Sequence, residues 1–586
     1  MAFGFRFSMA VLVLVAVVAG PVALAGEPVN LLSNGGFEEG TTGWNPDPKH
    51  SLVTEPGEAH SGKACLSGEV AGPSQALLLR RRVPVKAGNR YQFEVWARAT
   101  GRTKLVLRAV EPGTDPQTPL GAARRLVAAF EDVPEKWRLY TTPLTVPEDG
   151  MLELVLVAPS SHGAPPGRLW IDDLALYETE MPVVQSVSQG AGFNDEPAMA
   201  LSDDGSVYVA WNSFRDGADS LQIARYQSEN KSLKPAGQWQ VLGGEGAYVL
   251  GIEAVSAGEK AVVLYAAETD KNWDVYAVTC GPDGPSTPQA VGGDPGVDLK
   301  PSGAWHQGTL WVAWESNRTG SRQIFAASVA GGNAEKPVAL SADGTSNYGP
   351  SIVALQNGDV CVAWHSFRDN NYDVYLRRRA ADGSWGLEMR LTRAPSVDRH
   401  PVLVTRGDDL WLVYENAQTG GRDKPYRLGA TDHRRLIVAK VTPEGLLAPK
   451  DYAQTSPLYG RCEAPRAAFD ASGRLWLAYL KPRLPARDWD VYVTCLTGGG
   501  WQRPSPVFTQ KSMDRRPALA VGGDRGLVAF QADPNAGSWA RRRPPRPRKT
   551  WRWRFAPAVR ATSTGSKSAA TTSSSTPRSP GDVKRQ

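Results

Sequence analysis

Seven times between residues 190 and 540 the chain repeats one short pattern: an apolar strand, a tight polar turn, and a second strand ending on an aromatic. The second strands read VYVAW to Trp211, AVVLY to Tyr265, LWVAW to Trp314, VCVAW to Trp364, LWLVY to Tyr414, LWLAY to Tyr479 and GLVAF to Phe530. Successive aromatics stand 54, 49, 50, 50, 65 and 51 residues apart. A period near fifty made of short strands, with no helical pattern between them, predicts a seven-bladed β-propeller. Such a ring gathers its loops at two ends, so a ligand site is expected at the mouth of the central channel.

Each repeat holds four strands, as in PSIVALQNG (350–358), DVCVAWHSF (359–367), YDVYLRRRA (372–380) and GLEMRLT (386–392), with DG, NG and GG pairs at the turns. The segment VVQSVSQ (183–189) reads as a fourth strand without its blade, and is expected to close the ring by completing the last one. The propeller is therefore placed at 181–540, with its last blade incomplete. From Arg541 the text changes to a basic, Ser/Thr-rich run that carries 13 Lys or Arg against the single acid Asp582. That composition predicts a disordered tail over 541–586. It begins where a third strand is due, and a change of reading frame there would account for the lost strand. The formal net charge of +6 belongs to this tail, and the rest of the chain is net acidic. The basic pI therefore does not point to a nucleic-acid partner.

At the other end, Arg6 precedes an apolar run from Met9 to Val18, and Ala23-Leu24-Ala25 supplies small residues before Gly26. Residues 1–25 read as an export leader, too short in its apolar part for a membrane span, and the protein is expected to be secreted or periplasmic. The five cysteines are widely spaced and include no CxxC pair, so neither a disulfide framework nor a zinc site is implied. They are expected to be buried small hydrophobes.

Residues 26–180 are a different unit. It opens with NLLSNGGFEEGTTGW (30–44), continues through HSGKACLSG (60–68) and YQFEVWARATG (91–101), and closes with LWIDDLALYE (169–178). Period-two strands and Gly/Pro turns predict an all-β sandwich. The ordered set of segments resembles the CenC-type carbohydrate-binding modules, a galactose-binding-like jelly-roll family attached to secreted glycanases. The resemblance implies a polysaccharide or other glycan as partner. It also implies a structural Ca2+ held by the Glu of the opening motif and an Asp of the last strand, here Glu38 and Asp172 or Asp173. Sugar stacking needs aromatic faces, for which Trp44, Tyr91, Trp96 and Trp137 are the candidates.

The propeller repeats, notably WNSFRDG (211–217), WESNRTG (314–320) and WHSFRDN (364–370), resemble TolB-type and sialidase-like repeats, a likeness that carries fold more than activity. Six innermost strands start at proline (Pro197, Pro301, Pro350, Pro401, Pro465 and Pro517), and the triplets before them are expected to line the mouth. With the turns that face them, they give Asp195, Glu196, Arg368, Arg399, His400 and Glu463 as mouth candidates, with the 416–435 insertion as a wall. Glu315 and Glu415 are further acids at this end, and no residue is singled out as catalytic. The recurring Trp273-Asp274, Tyr372-Asp373 and Trp489-Asp490 pairs read as structural. Three functions follow: a secreted carbohydrate-binding protein with a propeller platform; a glycoside hydrolase or lyase acting at the mouth; or a TolB-like propeller that binds another protein there.

Overall fold

A computed structural model describes residues 12–19 and 29–533, apart from short internal segments of which 418–433 is the longest. The basic tail and nearly all of the 416–435 insertion lie outside the described residues. Everything described is β-structure, and no described helix is long and apolar enough to cross a membrane.

The first unit is a sandwich of two five-stranded antiparallel sheets. One orders Asn45–Pro46, Leu77–Val85, Gly150–Ala158, Leu105–Val110 and Arg124–Phe130; the other orders His50–Val53, Cys65–Val70, Gly167–Thr179, Arg90–Ala99 and Arg138–Thr145. Alternation along Arg90–Ala99 shows how the core forms. Tyr91, Phe93, Val95, Ala97 and Ala99 point inward and are buried, while Trp96 and Arg98 lie on the outer face.

Residues 193–533, together with two further strands, form seven antiparallel sheets, and neighbouring innermost strands touch in a closed cycle. The seven repeated aromatics are all buried, each in the second strand of its sheet. All five cysteines are buried free thiols. Every innermost strand carries a bulge at one matching place, where the register shifts by an extra residue. The bulge residue is left-handed in each: Glu196, Gly251, Lys300, Gly349, His400, Ala464 and Arg516, with φ between 48° and 63°. Five of these carry a Cβ, a strain of about 1 kcal/mol apiece that the surrounding ladder imposes.

The bulge corrects one expectation. The residue three before each proline does not face the mouth: Asn194, Asp298, Asn347, Asp398, Cys462 and Asp514 are buried inside their blades. The extra residue of the bulge turns the chain, so the one just before the proline is presented instead.

The last sheet orders Met513–Gly522, Arg525–Asp533, Leu12–Ala19 and Val183–Ser186. Val183–Ser186 thus stands as its outer strand. The missing third strand is supplied by residues 12–19, which the sequence reading assigned to a leader without a place in the fold. They pair with 525–532 on one side and 183–186 on the other. The sandwich touches the propeller at Arg90, whose buried guanidinium donates to the Pro506 carbonyl at 3.0 Å.

Candidate functional site

Two places gather polar and aromatic side chains. The first is the outer face of the second sandwich sheet. Trp170 lies directly across from Arg98 and Ser67, and Trp96 is two residues along from Arg98. The Arg98 guanidinium stands 5.3 Å from the Trp137 ring centre and 4.2 Å from that of Trp170, and it is tied to Glu58. His60 stacks on Trp96 with centroids 3.7 Å apart. A half-buried cluster of aromatic rings edged by donors is an arrangement that can hold a pyranose ring and read its hydroxyls.

Of the four aromatic candidates, Trp96 and Trp137 lie in this cluster and Trp44 and Tyr91 do not. Trp44 packs on Phe37 in the core and donates to the Asn34 carbonyl at 2.9 Å. Tyr91 is buried, and its hydroxyl accepts from the Lys86 amide. Parity shows only that Tyr91 and Trp96, five apart in one strand, cannot share a face. Trp170, His60 and Arg98 were missed: Trp170 sits in the closing motif, and His60 reaches the face from a turn.

The expected calcium ligands converge on the 60–64 turn. Asp172 accepts the His60 amide at 2.9 Å, and Asp173 accepts the Ser61 hydroxyl at 2.9 Å. Glu38 accepts the Lys63 and Ala64 amides at 2.8 and 3.0 Å. Burial, and then the charge of Asp173, push the Asp172 carboxyl up to about 7. A buried carboxylate crowded by a second one fits a divalent cation, which would relieve that repulsion. Glu38 does not join the two aspartates in one ligand group: among the described residues no cluster of three His, Cys, Asp or Glu is close enough to hold a metal.

The second place is the propeller mouth, where a carboxylate or histidine of one blade recurrently braces the bulge of the next. Glu196 accepts the Gly251 amide, Glu315 accepts that of Gly349 at 2.8 Å, and Glu415 that of Ala464 at 2.7 Å. Arg516 of the last blade reaches Asp195 and Glu196 of the first, at 3.2 and 2.5 Å, across the seam of the ring. Lys300 and Arg322 flank Glu315, and His400 Nδ1 lies 2.8 Å from Glu415 Oε2. Glu463 is gripped by Arg434 and Arg461. Burial alone would raise the Glu415 carboxyl, but His400, the Ala464 amide and Arg399 together hold it below the usual range.

Of the six mouth candidates, Asp195, Glu196, Arg399, His400 and Glu463 are in this network. Arg368 is not: it is engaged within its own blade by Glu388, Ser366 and the Tyr375 ring. Tyr414, the repeated aromatic next to Glu415, is buried in its repeat slot. The Asp of the recurring aromatic-Asp pair is structural, with Asp373 holding Arg390 at 2.7 Å and Thr392 at 3.2 Å. Sequence reasoning missed His365, which is buried between Tyr348, Tyr372 and His400.

Behind the mouth, Glu253 and Arg466 lie on innermost strands of different blades. Their blades are not neighbours, yet each feels the other's charge. Burial pushes Glu253 up to about 7, only partly offset by the Gly303 amide, Arg466 and the Ser302 hydroxyl. Because the folded-state value is raised, Glu253 favours folding most below its ordinary pKa, and that contribution is lost as pH rises through about 7. Glu253→Gln should therefore be more stable than the parent at pH 8, by about 1–2 kcal/mol once channel water is allowed for, and no more stable at pH 4. Denaturant melts at the two pH values check this; equal differences at both would refute it.

Residues 29–161 match the family model of a carbohydrate binding domain, CBM_4_9. The sheet bearing Trp96 and Trp137 falls largely within the match, and Trp170 lies just beyond it. No curated protein matches the chain. Among solved structures, TmCBM61 in complex with β-1,4-galactotriose is 20% identical over 26% of this chain and 99% of its own, with a TM-score of 0.21. The Penicillium chrysogenum α-L-arabinanase complexed with arabinobiose is 12% identical over 58% of this chain and 94% of its own, with a TM-score of 0.32. The Bacillus licheniformis GH43 endo-arabinanase is 11% identical over 44% and 97%, with a TM-score of 0.28.

Proposed function

We propose that this is a glycan-binding protein. Its carbohydrate binding domain holds sugar on the outer face of the second sheet, and its seven-bladed propeller serves as a second binding platform. The observation that carries the reading is the half-exposed cluster of Trp96, Trp137 and Trp170 around Arg98, within and beside the segment that matches a carbohydrate binding domain. The mouth favours binding over hydrolysis. Cleavage by paired carboxylates needs one free to donate and one free to attack or activate water, whereas Glu315 and Glu415 are each committed to a cation or histidine and to a backbone amide.

The test is binding of the full chain to a panel of immobilised oligosaccharides. Trp170→Ala should weaken capture about tenfold or more, the loss of one stacking partner together with the ring that steadies Arg98. No binding to any glycan, or unchanged binding by the variant, would refute the reading.

Calcium belongs to the same proposal. Asp172 and Asp173 would hold the ion at the end of the sheet, fixing the 60–64 turn and, through His60, the face of Trp96. A ligand bound only by the folded state adds about 2.7 kcal/mol at a hundredfold excess over its Kd. Calcium should raise the melting temperature of the sandwich by several degrees in the parent and not in Asp173→Asn. A parallel Glu38→Ala protein shows whether that carboxylate contributes.

A further inference from the structure

We propose that the propeller mouth binds a carbohydrate bearing carboxylates, a uronate-type glycan. This deepens the glycan-binding reading and rests on it. The network at the mouth is layered by charge. Lys300, His400 and Arg516 have side chains 60%, 47% and 47% exposed, while their partners Glu315, Glu415 and Glu196 are 2%, 19% and 17% exposed. Glu196, Glu315 and Glu415 are turned down onto the backbone amides of the next blade, leaving Lys300, His400 and Arg516 outermost, with Asp195 36% exposed beside Arg516. An incoming ligand thus meets positive charge on a body that is otherwise net acidic.

Two aromatic rings sit in the same arc. Tyr348 and Tyr372 are half-buried, with Arg322 5.3 Å from the first ring centre and Arg399 4.8 Å from the second. Rings beside guanidinium groups suit a ligand whose rings carry carboxylates: the sugar face lies on the aromatic and the carboxylate meets the fork. A bare inorganic anion would leave the tyrosines unused. The strained left-handed bulges at Lys300 and His400 present both side chains at one level of the rim.

The experiment measures binding of the full chain to oligogalacturonate and to its methyl ester, which has the same sugar ring without the charge. The acid form should bind at least about tenfold tighter, and its affinity should fall as salt is raised. Lys300→Glu should abolish the preference in protein that still unfolds cooperatively, because Arg322 remains on Glu315. Trp170→Ala should leave the preference intact, because that residue lies on the sandwich. Equal affinity for acid and ester in the parent, or a preference that survives Lys300→Glu, overturns the proposal. If both forms bind equally and Trp170→Ala removes both, the glycan-binding reading stands while this one fails. If neither form nor any neutral glycan binds, the underlying reading fails instead.

Discussion

Replacing Arg318 with methionine should cost the propeller about 3–5 kcal/mol, the penalty for leaving a buried charge without its partner. Arg318 donates to Asp298 at 2.6 Å, and the two side chains are 9% and 0% exposed. Burial already pushes the Asp298 carboxyl up despite this partner. Taking the guanidinium away leaves the carboxylate to be protonated or the blade to open. The repeat suggests the rescue. The matching position of the next blade is Asn347, which holds its own Arg368 without a charge to neutralise. Asp298→Asn in the Arg318→Met background should therefore recover most of the loss. Urea denaturation of the single and double variants measures it; a single variant within about 1 kcal/mol of the parent, or a double variant no better than the single, would show that the pair does not support the blade.

A protein that begins at Gly26 should lose several kcal/mol from the last blade. Residues 12–19 pair along both edges, eight positions against 525–532 and four against 183–186. Each net backbone hydrogen bond contributes about 0.5–1.5 kcal/mol, and removing the strand leaves two unpaired edges that invite self-association. The shortened protein should melt earlier and oligomerise with concentration. Adding the peptide LVLVAVVA should reverse both effects, since a strand supplied in trans restores the same ladder. Equal melting of the two lengths, with no response to the peptide, would mean that residues 12–19 contribute nothing to the sheet in solution.

The repeat, the strand order within each blade and the sandwich at the front were legible because they are local. Trp211, Tyr265, Trp314 and Trp364 recur at near-constant spacing, so periodicity alone fixed those strands. The prolines read as strand starts, whereas each sits just past the bulge, inside an innermost strand that begins two to four residues earlier. The mouth was legible in part: Glu196 and His400 were found because they precede those prolines, and Arg368 was misplaced because its turn lies at the same end of the sequence repeat yet folds back on Glu388.

Only the tertiary structure decided which faces look outward and which distant residues meet. Strand alternation separates Tyr91 from Trp96 but does not say which of the two faces solvent; the second sheet packing on the Tyr91 side decides that. One bulge per innermost strand buries Asp298 and lifts Lys300 to the rim, although the two are two residues apart. Arg516 and Glu196 meet only because the ring closes, and Glu253 and Arg466 feel each other's charge for the same reason. A sequence pattern records the period of the backbone, whereas burial, charge pairing and the filling of the last blade by residues 12–19 depend on contacts between segments far apart in the chain.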